Sequence, residues 1–202
     1  MIVIIDYGVG NLSSVKNGFA EAGFSTAVSS DPELIAAADG LVLPGVGAFG
    51  RAMENLRMGG LHSAVLSSVR RGVPLLGICV GMQMLFERSE EMGDFAGLGL
   101  IAGSVVQFNS GLKVPQVGWN QLVIRRSHPL LDGIKDGDYF YFVHSYHGLP
   151  ATDVDLLATA DYGLHFPAVV QKGNIYGVQF HPEKSSGLGL KILDNFGRLA
   201  AC

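Results

Sequence analysis

The first half of the chain alternates short, wholly apolar runs with longer segments in which apolar residues recur at helical spacing. Three apolar runs predict strands: Ile2–Asp6, Gly40–Gly45 and the run "VPLLGIC" that ends at Cys79. A further strand fits near Phe24–Ser29, between the first two of them. The first predicted helix is capped by Asn11 or Ser13 and ends at about Ala22, and the second begins at the cap Asp31, with Pro32 in the first helical position. Further helices are predicted at Phe49–Leu56, Leu61–Arg71 and Met82–Arg88. Because strands that are apolar throughout are buried on both faces, this order predicts a parallel sheet with helices on both sides.

From Gly97 onward the pattern changes to short strands separated by turns, which is typical of hairpins rather than of strand–helix–strand crossovers. The strand-like segments are "LIAGSVVQF", "YFYFVHSY", "DLLATADYG", "AVVQKGN" and "IYGVQF", and the final predicted helix is Leu188–Leu199. No internal repeat, low-complexity tract or linker interrupts the sequence. We therefore predict one α/β domain over residues 1–202, with a mostly parallel central sheet and added antiparallel strands in the second half.

Composition narrows the functional classes. A hydrophobic content of 48% and a charged content of 16% are typical of a folded, soluble protein. The formal charge of −4 and the lack of a Lys/Arg cluster argue against nucleic acid as the main partner, and no apolar stretch approaches the ~18 residues of a membrane span. Cys79 and Cys202 are the only thiols, and the N-terminus lacks the basic start of a signal peptide, so we expect a reducing, cytoplasmic location.

Four polar or glycine-rich segments directly follow predicted strands. They are "DYGVGNL", "PGVGAFG", "CVGMQ" and "HPEKS". In open α/β sheets, sites form outside the carboxyl ends of the strands. The architecture therefore predicts that these four segments meet on one rim of the sheet, although they are far apart in sequence.

Cys79 lies where the fourth strand gives way to a helix. A helix N-terminus favours a thiolate, which is the nucleophilic form of cysteine. Gly77 and Gly81 flank it at i−2 and i+2, as in a nucleophile elbow, where a sharp turn leaves no space for β-carbons. Taken alone, the stretch is equally compatible with a cysteine that only fills the core.

His181 supports the chemical interpretation. Pro182 follows it and cannot continue sheet pairing, so the last strand is predicted to end at His181 and to place it on the rim. Glu183 is positioned to orient the imidazole, as the third member of a triad does. Together with Cys79, these residues predict acyl transfer through a thioester. The N–H of Val80 and the loop "PGVG" are candidate donors to the oxyanion.

Other conspicuous residues do not add a second chemistry. His144 and His147 in "VHSYH" have no further His or Cys at ligand spacing, so no metal site is predicted. The segment "GVGNL" is not GxGxxG, so a dinucleotide cofactor is not expected. Trp119, the only tryptophan, is either a packed anchor or an exposed interface residue.

The motifs "IIDYGVGNL", "LPGVGAFG", "LGICVGMQMLFERSE", "KVPQVGWN", "YFVHSYH" and "GVQFHPEKS" cover almost the whole chain. In this order they resemble the class I (triad) glutamine amidotransferases, which have a flavodoxin-like α/β fold. "DYGVGNL", "PGVGAFG" and "VGWN" are similar to the branch that serves histidine biosynthesis. The resemblance implies hydrolysis of glutamine to glutamate and ammonia without a cofactor. It also implies a heterodimer with a (β/α)8-barrel cyclase subunit, which uses the ammonia to make imidazole glycerol phosphate and aminoimidazole carboxamide ribonucleotide.

The resemblance also implies roles for individual residues. Cys79 would be the nucleophile, His181 the base and then acid, and Glu183 the orienting carboxylate. The residues expected to bind substrate or the oxyanion are Gly45, Val46, Gly47, Val80, Gln83, Ser145 and Tyr146, and those expected at the partner interface are Asn11, Trp119, Tyr141 and Lys184.

The chain departs from the family at two positions. The family often has histidine where this chain has Gln116, and leucine where it has Val80. Two other functions share the same motifs: a stand-alone cysteine hydrolase acting on glutamine or a γ-glutamyl substrate, and a non-catalytic subunit that only docks.

Overall fold

The structure is a computed structural model that describes residues 1–109 and 111–201, so the predicted thiol Cys202 lies outside the described residues. The strands of the first half are β1 (Ile2–Ile5), β2 (Thr26–Ser29), β3 (Gly40–Gly45) and β4 (Leu75–Cys79). The helices between and after them are α1 (Leu12–Glu21), α2 (Pro32–Ala36), α3 (Phe49–Arg57), α4 (Leu61–Arg70) and α5 (Val80–Gln83). The alternation predicted from the apolar runs is confirmed. Asp31 caps α2 as expected, because its carboxylate accepts the Glu33 N–H at 2.9 Å.

The second half is rich in strands, as predicted. Its strands are β5 (Phe86–Ser89), β6 (Phe95–Ala96), β7 (Ile101–Gln107), β8 (Gln116–Gln121), β9 (Val123–Ile124), β10 (Tyr139–His144), β11 (Tyr146–Pro150), β12 (Leu156–Asp161), β13 (His165–Lys172) and β14 (Ile175–Val178). The helix α6 (Ser186–Leu199) follows a 3₁₀ turn at Pro182–Lys184. None of the described helices is long and apolar enough to span a bilayer.

The central sheet has eight strands in the order β2-β1-β3-β4-β14-β13-β12-β9. The five strands from β2 to β14 are parallel, and β13, β12 and β9 continue the sheet in antiparallel pairing. The path from β1 moves outward to β2 and then reverses to β3 and β4. Because such crossovers are right-handed, α1 covers one face of the sheet and α2–α4 cover the other. α6 packs beside α1, with the rings of Phe19 and Phe196 6.2 Å apart.

Two smaller sheets stand beside the central one. β8 and β10 form an antiparallel pair, and β11, β7, β5 and β6 form a four-stranded sheet in that order. They bring the turn between β10 and β11 next to the carboxyl end of β4, which completes the wall of the site described below.

The sequence-based prediction was wrong at two boundaries. A helix was expected from Met82 to Arg88, but only the single turn α5 forms, and the chain then enters β5. β5 pairs with β7, placing Phe86 opposite Ile101, so contacts with a distant strand override the local helical pattern. The last strand was expected to reach His181 but ends at Val178. His181 instead precedes the 3₁₀ turn, and its N–H pairs with the Tyr141 carbonyl at 2.9 Å.

Candidate active site

A cavity of about 340 Å³ opens at the carboxyl ends of β3 and β4. Three of the four segments predicted to share a rim contribute to its lining, and the fourth, after β1, packs behind it through the Tyr7 hydroxyl, which donates to the Pro44 carbonyl at 2.6 Å. The cavity is lined by Val46, Gly47, Cys79, Val80, Gln83, Glu91, Pro115, Val143, His144, Ser145, Tyr146, His181 and Lys184. A larger cavity of about 760 Å³ lies at the amino ends of β1 and β4, and no candidate catalytic residue lines it.

Cys79 occupies a strained corner between β4 and α5. Its φ of 54° and ψ of −111° are rarely adopted by residues other than glycine. A β-carbon at Gly77 would lie 2.6 Å from the Gly81 carbonyl oxygen, and one at Gly81 would overlap the Leu43 carbonyl oxygen of β3. The elbow predicted from the glycine spacing is therefore present in the geometry, and both glycines are sterically required.

His181 and Glu183 form a buried pair beside the cavity. Nδ1 of His181 lies 2.9 Å from Oε1 of Glu183, and the two side chains are 2% and 1% exposed. The Ser185 hydroxyl donates to the His181 carbonyl at 2.7 Å and accepts the Tyr141 N–H at 3.0 Å, which ties the turn to β10. In the part of the chain that the structure describes, Nε2 of His181 has no hydrogen-bond partner. The imidazole is therefore oriented by Glu183 and keeps one nitrogen for a reacting group.

Electrostatics favour the charged form of His181. Burial lowers the pKa of its imidazole, but the neighbouring Cys79 thiol and the hydrogen bond with Glu183 outweigh burial and raise the pKa to about 9. The thiol acts on the ring by proximity, since it does not form a well-aligned hydrogen bond with Nε2. An imidazolium next to a sulfur is the arrangement that stabilises a thiolate.

Two further groups contact the Cys79 sulfur. Sγ lies 3.9 Å from the Val143 carbonyl oxygen, to which a protonated thiol donates. Nε2 of Gln179 lies 3.7 Å from the same sulfur and is the donor in this contact. Nothing in the sequence pattern singles out Val143 or Gln179, because each reaches the sulfur from a segment distant in sequence: Val143 from β10, and Gln179 from the residues just after β14.

Most residues expected to bind substrate line the cavity. Val46, Gly47, Val80, Gln83, Ser145 and Tyr146 are among them. Gly45 is not; it is buried in β3, paired with Cys79 across the strands. Glu91 is a lining residue that sequence analysis missed, since it lies just beyond the motif "LGICVGMQMLFERSE". Its carboxylate accepts the Phe49 N–H at 2.7 Å and adds a negative charge to the cavity wall.

Three of the four residues expected at the partner interface, Trp119, Tyr141 and Lys184, form a patch next to the cavity. Trp119 is 51% exposed, and its ring centroid lies 6.0 Å from that of Tyr141, the residue opposite it on β10. Nζ of Lys184 lies 6.0 Å from the Tyr141 ring centroid, and Lys184 also lines the cavity. Asn11 precedes α1, which packs against the turn that carries Lys184. Trp119 is therefore an exposed residue rather than a packed anchor.

The two histidines of "VHSYH" are buried among aromatic rings. Phe108 stacks obliquely on both, at 5.0 Å from His144 and 4.8 Å from His147. Nδ1 of His144 lies 2.8 Å from the Tyr146 carbonyl, and burial lowers the pKa of His144 to about 3. Gln116 is buried opposite His144, and its Oε1 has no partner among the described residues. His144 is therefore a neutral wall residue that holds the Tyr146 carbonyl in place.

Comparison with known proteins agrees with this geometry. A family model described as glutamine amidotransferase class-I matches residues 3–199, so the chain belongs to the class I glutamine amidotransferases. It is 52% identical over 198 residues to the imidazole glycerol phosphate synthase subunit HisH of Moorella thermoacetica, with 98% of this chain and 94% of that protein covered. It is 50% identical over 202 residues to the subunit of the same name from Natronomonas pharaonis, with 96% and 93% covered. Within its class, the chain belongs to the family of this synthase subunit.

Solved structures share the fold at much lower identity. A crystal structure described as glutamine amidotransferase superposes with a TM-score of 0.80 at 20% identity, and both chains are fully covered. The structure of PurLQS from Thermotoga maritima superposes with a TM-score of 0.76 at 18% identity, covering 98% and 97% of the two chains. The predicted family and fold class are both confirmed.

Proposed function

We propose that this chain hydrolyses glutamine to glutamate and ammonia at Cys79, and passes the ammonia to the (β/α)8-barrel cyclase subunit of imidazole glycerol phosphate synthase. The observation that carries the proposal is the buried His181–Glu183 pair, which neighbours a cysteine held on a strained elbow. Relatives about half identical over nearly their full length are named as the corresponding synthase subunit. Because the reaction needs a reduced thiol, we expect the enzyme to work in the cytoplasm.

The first half of the reaction releases ammonia. The Cys79 thiolate attacks the side-chain amide carbon of glutamine, and the carbonyl oxygen becomes an oxyanion. The His181 imidazolium donates its Nε2 proton to the amide nitrogen, the C–N bond breaks, and ammonia leaves. Glu183 accepts from Nδ1 and stabilises the imidazolium until the proton is transferred.

The second half hydrolyses the thioester. Neutral His181 takes a proton from water, the hydroxide oxygen bonds to the acyl carbon, and the C–S bond breaks to release glutamate and the thiolate. The N–H groups of Val80 and Val46 are the proposed donors to the oxyanion in both halves, each worth about 3 kcal/mol. Val46 is 40% exposed, and its N–H belongs to the peptide that joins it to Gly45, a residue with no side chain to oppose rotation of that peptide.

Polar groups on the cavity wall suit the amino-acid end of glutamine. The Glu91 carboxylate is the proposed partner of the substrate ammonium group. The main chain at Ser145 and Tyr146 and the amide of Gln83 supply neutral donors and acceptors for the rest of the substrate. With these partners, the reacting amide of glutamine would lie over Cys79 and its ammonium group would point toward Glu91.

The patch of exposed Trp119 and Lys184 around half-buried Tyr141 is the proposed docking surface for the cyclase subunit, in a heterodimer. Ammonia is mostly protonated in water at neutral pH and then cannot attack, so direct transfer between subunits preserves the reactive form. We also propose that the loaded partner raises activity by turning the Val46 N–H toward the oxyanion. A shift of about 3 kcal/mol in that equilibrium corresponds to a little over a hundredfold in rate.

The test is glutamate release from glutamine by this chain alone, and then with the cyclase subunit and its ribonucleotide, each beside Cys79→Ala. A large gain with the loaded partner, lost in Cys79→Ala, is the expected result. Equal activity with and without the partner would establish the stand-alone hydrolase instead. No turnover in any condition would leave only the docking function.

A further inference from the structure

Gln179 is a buried amide that the reaction described above does not use. It lies between β14 and His181 and has no solvent exposure. Its main-chain N–H donates to the Ala168 carbonyl at 2.9 Å, which fixes the backbone at the junction with β13. Its side chain contacts both the Cys79 sulfur and the Gln83 amide.

The orientation of this amide is set by a chain of hydrogen bonds that begins at a main-chain carbonyl. The Tyr146 carbonyl oxygen can only accept, so the group of Gln83 that lies 2.8 Å from it is the NH₂ nitrogen, Nε2. The same nitrogen donates to Gln179 at 3.1 Å, so the Gln179 atom facing it is the oxygen. The Gln179 NH₂ group is therefore turned toward Cys79, at 3.7 Å from Sγ.

From this series of hydrogen bonds we infer that Gln179 is a positioning residue. Its side-chain amide donates a hydrogen bond to the Cys79 thiolate and links the thiolate to the substrate-binding amide of Gln83. The inference rests on the proposed role of Cys79 as nucleophile.

The donor distinguishes between the two states of the sulfur. A protonated thiol has a partner in the Val143 carbonyl, 3.9 Å away, whereas a thiolate cannot donate and would repel that oxygen. The Gln179 N–H interacts more strongly with the anion than with the thiol, because hydrogen bonds to charged groups are about twice as strong as neutral ones. Gln179 therefore adds to the stabilisation that the His181 imidazolium supplies.

The experiment measures alkylation of Cys79 by iodoacetamide between pH 5 and 10, in a Cys202→Ser background so that only one thiol reacts. Gln179→Met keeps the length of the side chain but has no donor. The expected result is a pH–rate midpoint about one unit higher than in the parent chain, with alkylation about tenfold slower at pH values well below both midpoints. Turnover with the loaded partner is expected to fall by a similar factor in kcat with little change in KM, which loss of a purely structural residue would not reproduce.

Gln171→Met is the matched control, because Gln171 is a surface glutamine on β13 that bonds to Arg126 and Gly173. Its alkylation profile is expected to equal that of the parent chain. If Gln179→Met does not fold, Gln83→Met removes the donor that orients Gln179 and is expected to move the midpoint in the same direction by a smaller amount.

An unchanged midpoint in folded Gln179→Met overturns the inference, as does an unchanged midpoint in Gln83→Met if only that variant folds. Alkylation needs neither glutamine nor the partner. This result is therefore separate from failure of the proposed function, which shows as absent turnover in the parent chain.

Discussion

The carboxyl ends of β3 and β4 lie side by side but differ in how tightly they are held. At the end of β4, Cys79 is 3% exposed, and the glycine two residues later touches the backbone of β3 closely enough to exclude any side chain. At the end of β3, Val46 is 40% exposed, and a β-carbon on Gly47 would meet no atom within 4 Å. The elbow is locked by neighbouring backbone, whereas the loop has free space around it.

This difference suits the two proposed tasks. A nucleophile must stand at a fixed distance from its base, and strain at the elbow persists only because the surroundings determine the conformation. A regulated oxyanion donor must have two accessible orientations that a partner can bias. Substitutions on the two sides of the site should therefore give different kinds of effect, in the order that follows.

The largest effect is expected from Gly81→Ala, at the elbow. Its β-carbon would overlap the Leu43 carbonyl oxygen, which belongs to the backbone of β3 and cannot move aside cheaply. We expect the free energy of unfolding in urea to fall by about 3 kcal/mol or more. Gly187→Ala in α6 is the control, because a β-carbon there meets open space, and its stability should stay equal or rise slightly. Equal stability of the two variants would show that the elbow is not locked.

Glu183→Gln is expected to reduce kcat about a hundredfold in the presence of the loaded partner. The amide keeps the size of the side chain but removes the charge that helps to raise the pKa of His181. Glu54→Gln is the matched control, since Glu54 lies on α3 in an exposed pair with Arg51 and should leave turnover unchanged. Retention of more than a third of the activity in Glu183→Gln would contradict the orienting role.

His144, in the buried wall opposite the elbow, should make the stability of the protein depend on pH. The folded-state pKa of His144 is lowered to about 3, while an unfolded histidine titrates near 6.5. As pH falls from 6.5 toward 3, His144 binds a proton in the unfolded chain but not in the folded chain. This residue therefore lowers the free energy of unfolding by about 1.4 kcal/mol per pH unit. His144→Gln should lack that component in urea titrations. His165→Gln, at the surface, should keep it, and identical slopes in all three proteins would refute the assignment.

The smallest effect is expected from Gly47→Ala, in the loop. The residue has a φ of +88° and open space, so the only cost is left-handed strain of about 1 kcal/mol. Turnover with the partner should fall severalfold, while the rate of Cys79 alkylation stays unchanged because the elbow is untouched. Parallel losses in turnover and alkylation would mean that loop and elbow form one rigid unit.

Much of this site was predictable because its signals are local. The glycines around Cys79 report a turn too tight for side chains, and Pro182 stands at the first position of the 3₁₀ turn that follows His181. The apolar runs predicted β1, β3 and β4, since strands buried on both faces are apolar throughout, whereas the edge strand β2 is partly exposed and carries polar residues. The segment Phe86–Ser89 was misassigned because its strand conformation depends on β7, which the local pattern does not report.

The sequence by itself determined the class of fold, the elbow and the candidate triad, because each depends on residue types at short, fixed spacing. Only the tertiary structure decided which distant groups converge on the sulfur. The carbonyl of Val143 and the amide of Gln179 reach Cys79 from residues 64 and 100 positions away, and Glu91 joins the cavity from outside every recognised motif. Such contacts depend on how strands are ordered across the sheets, and strand order is set by packing of the whole chain rather than by any local run of residues.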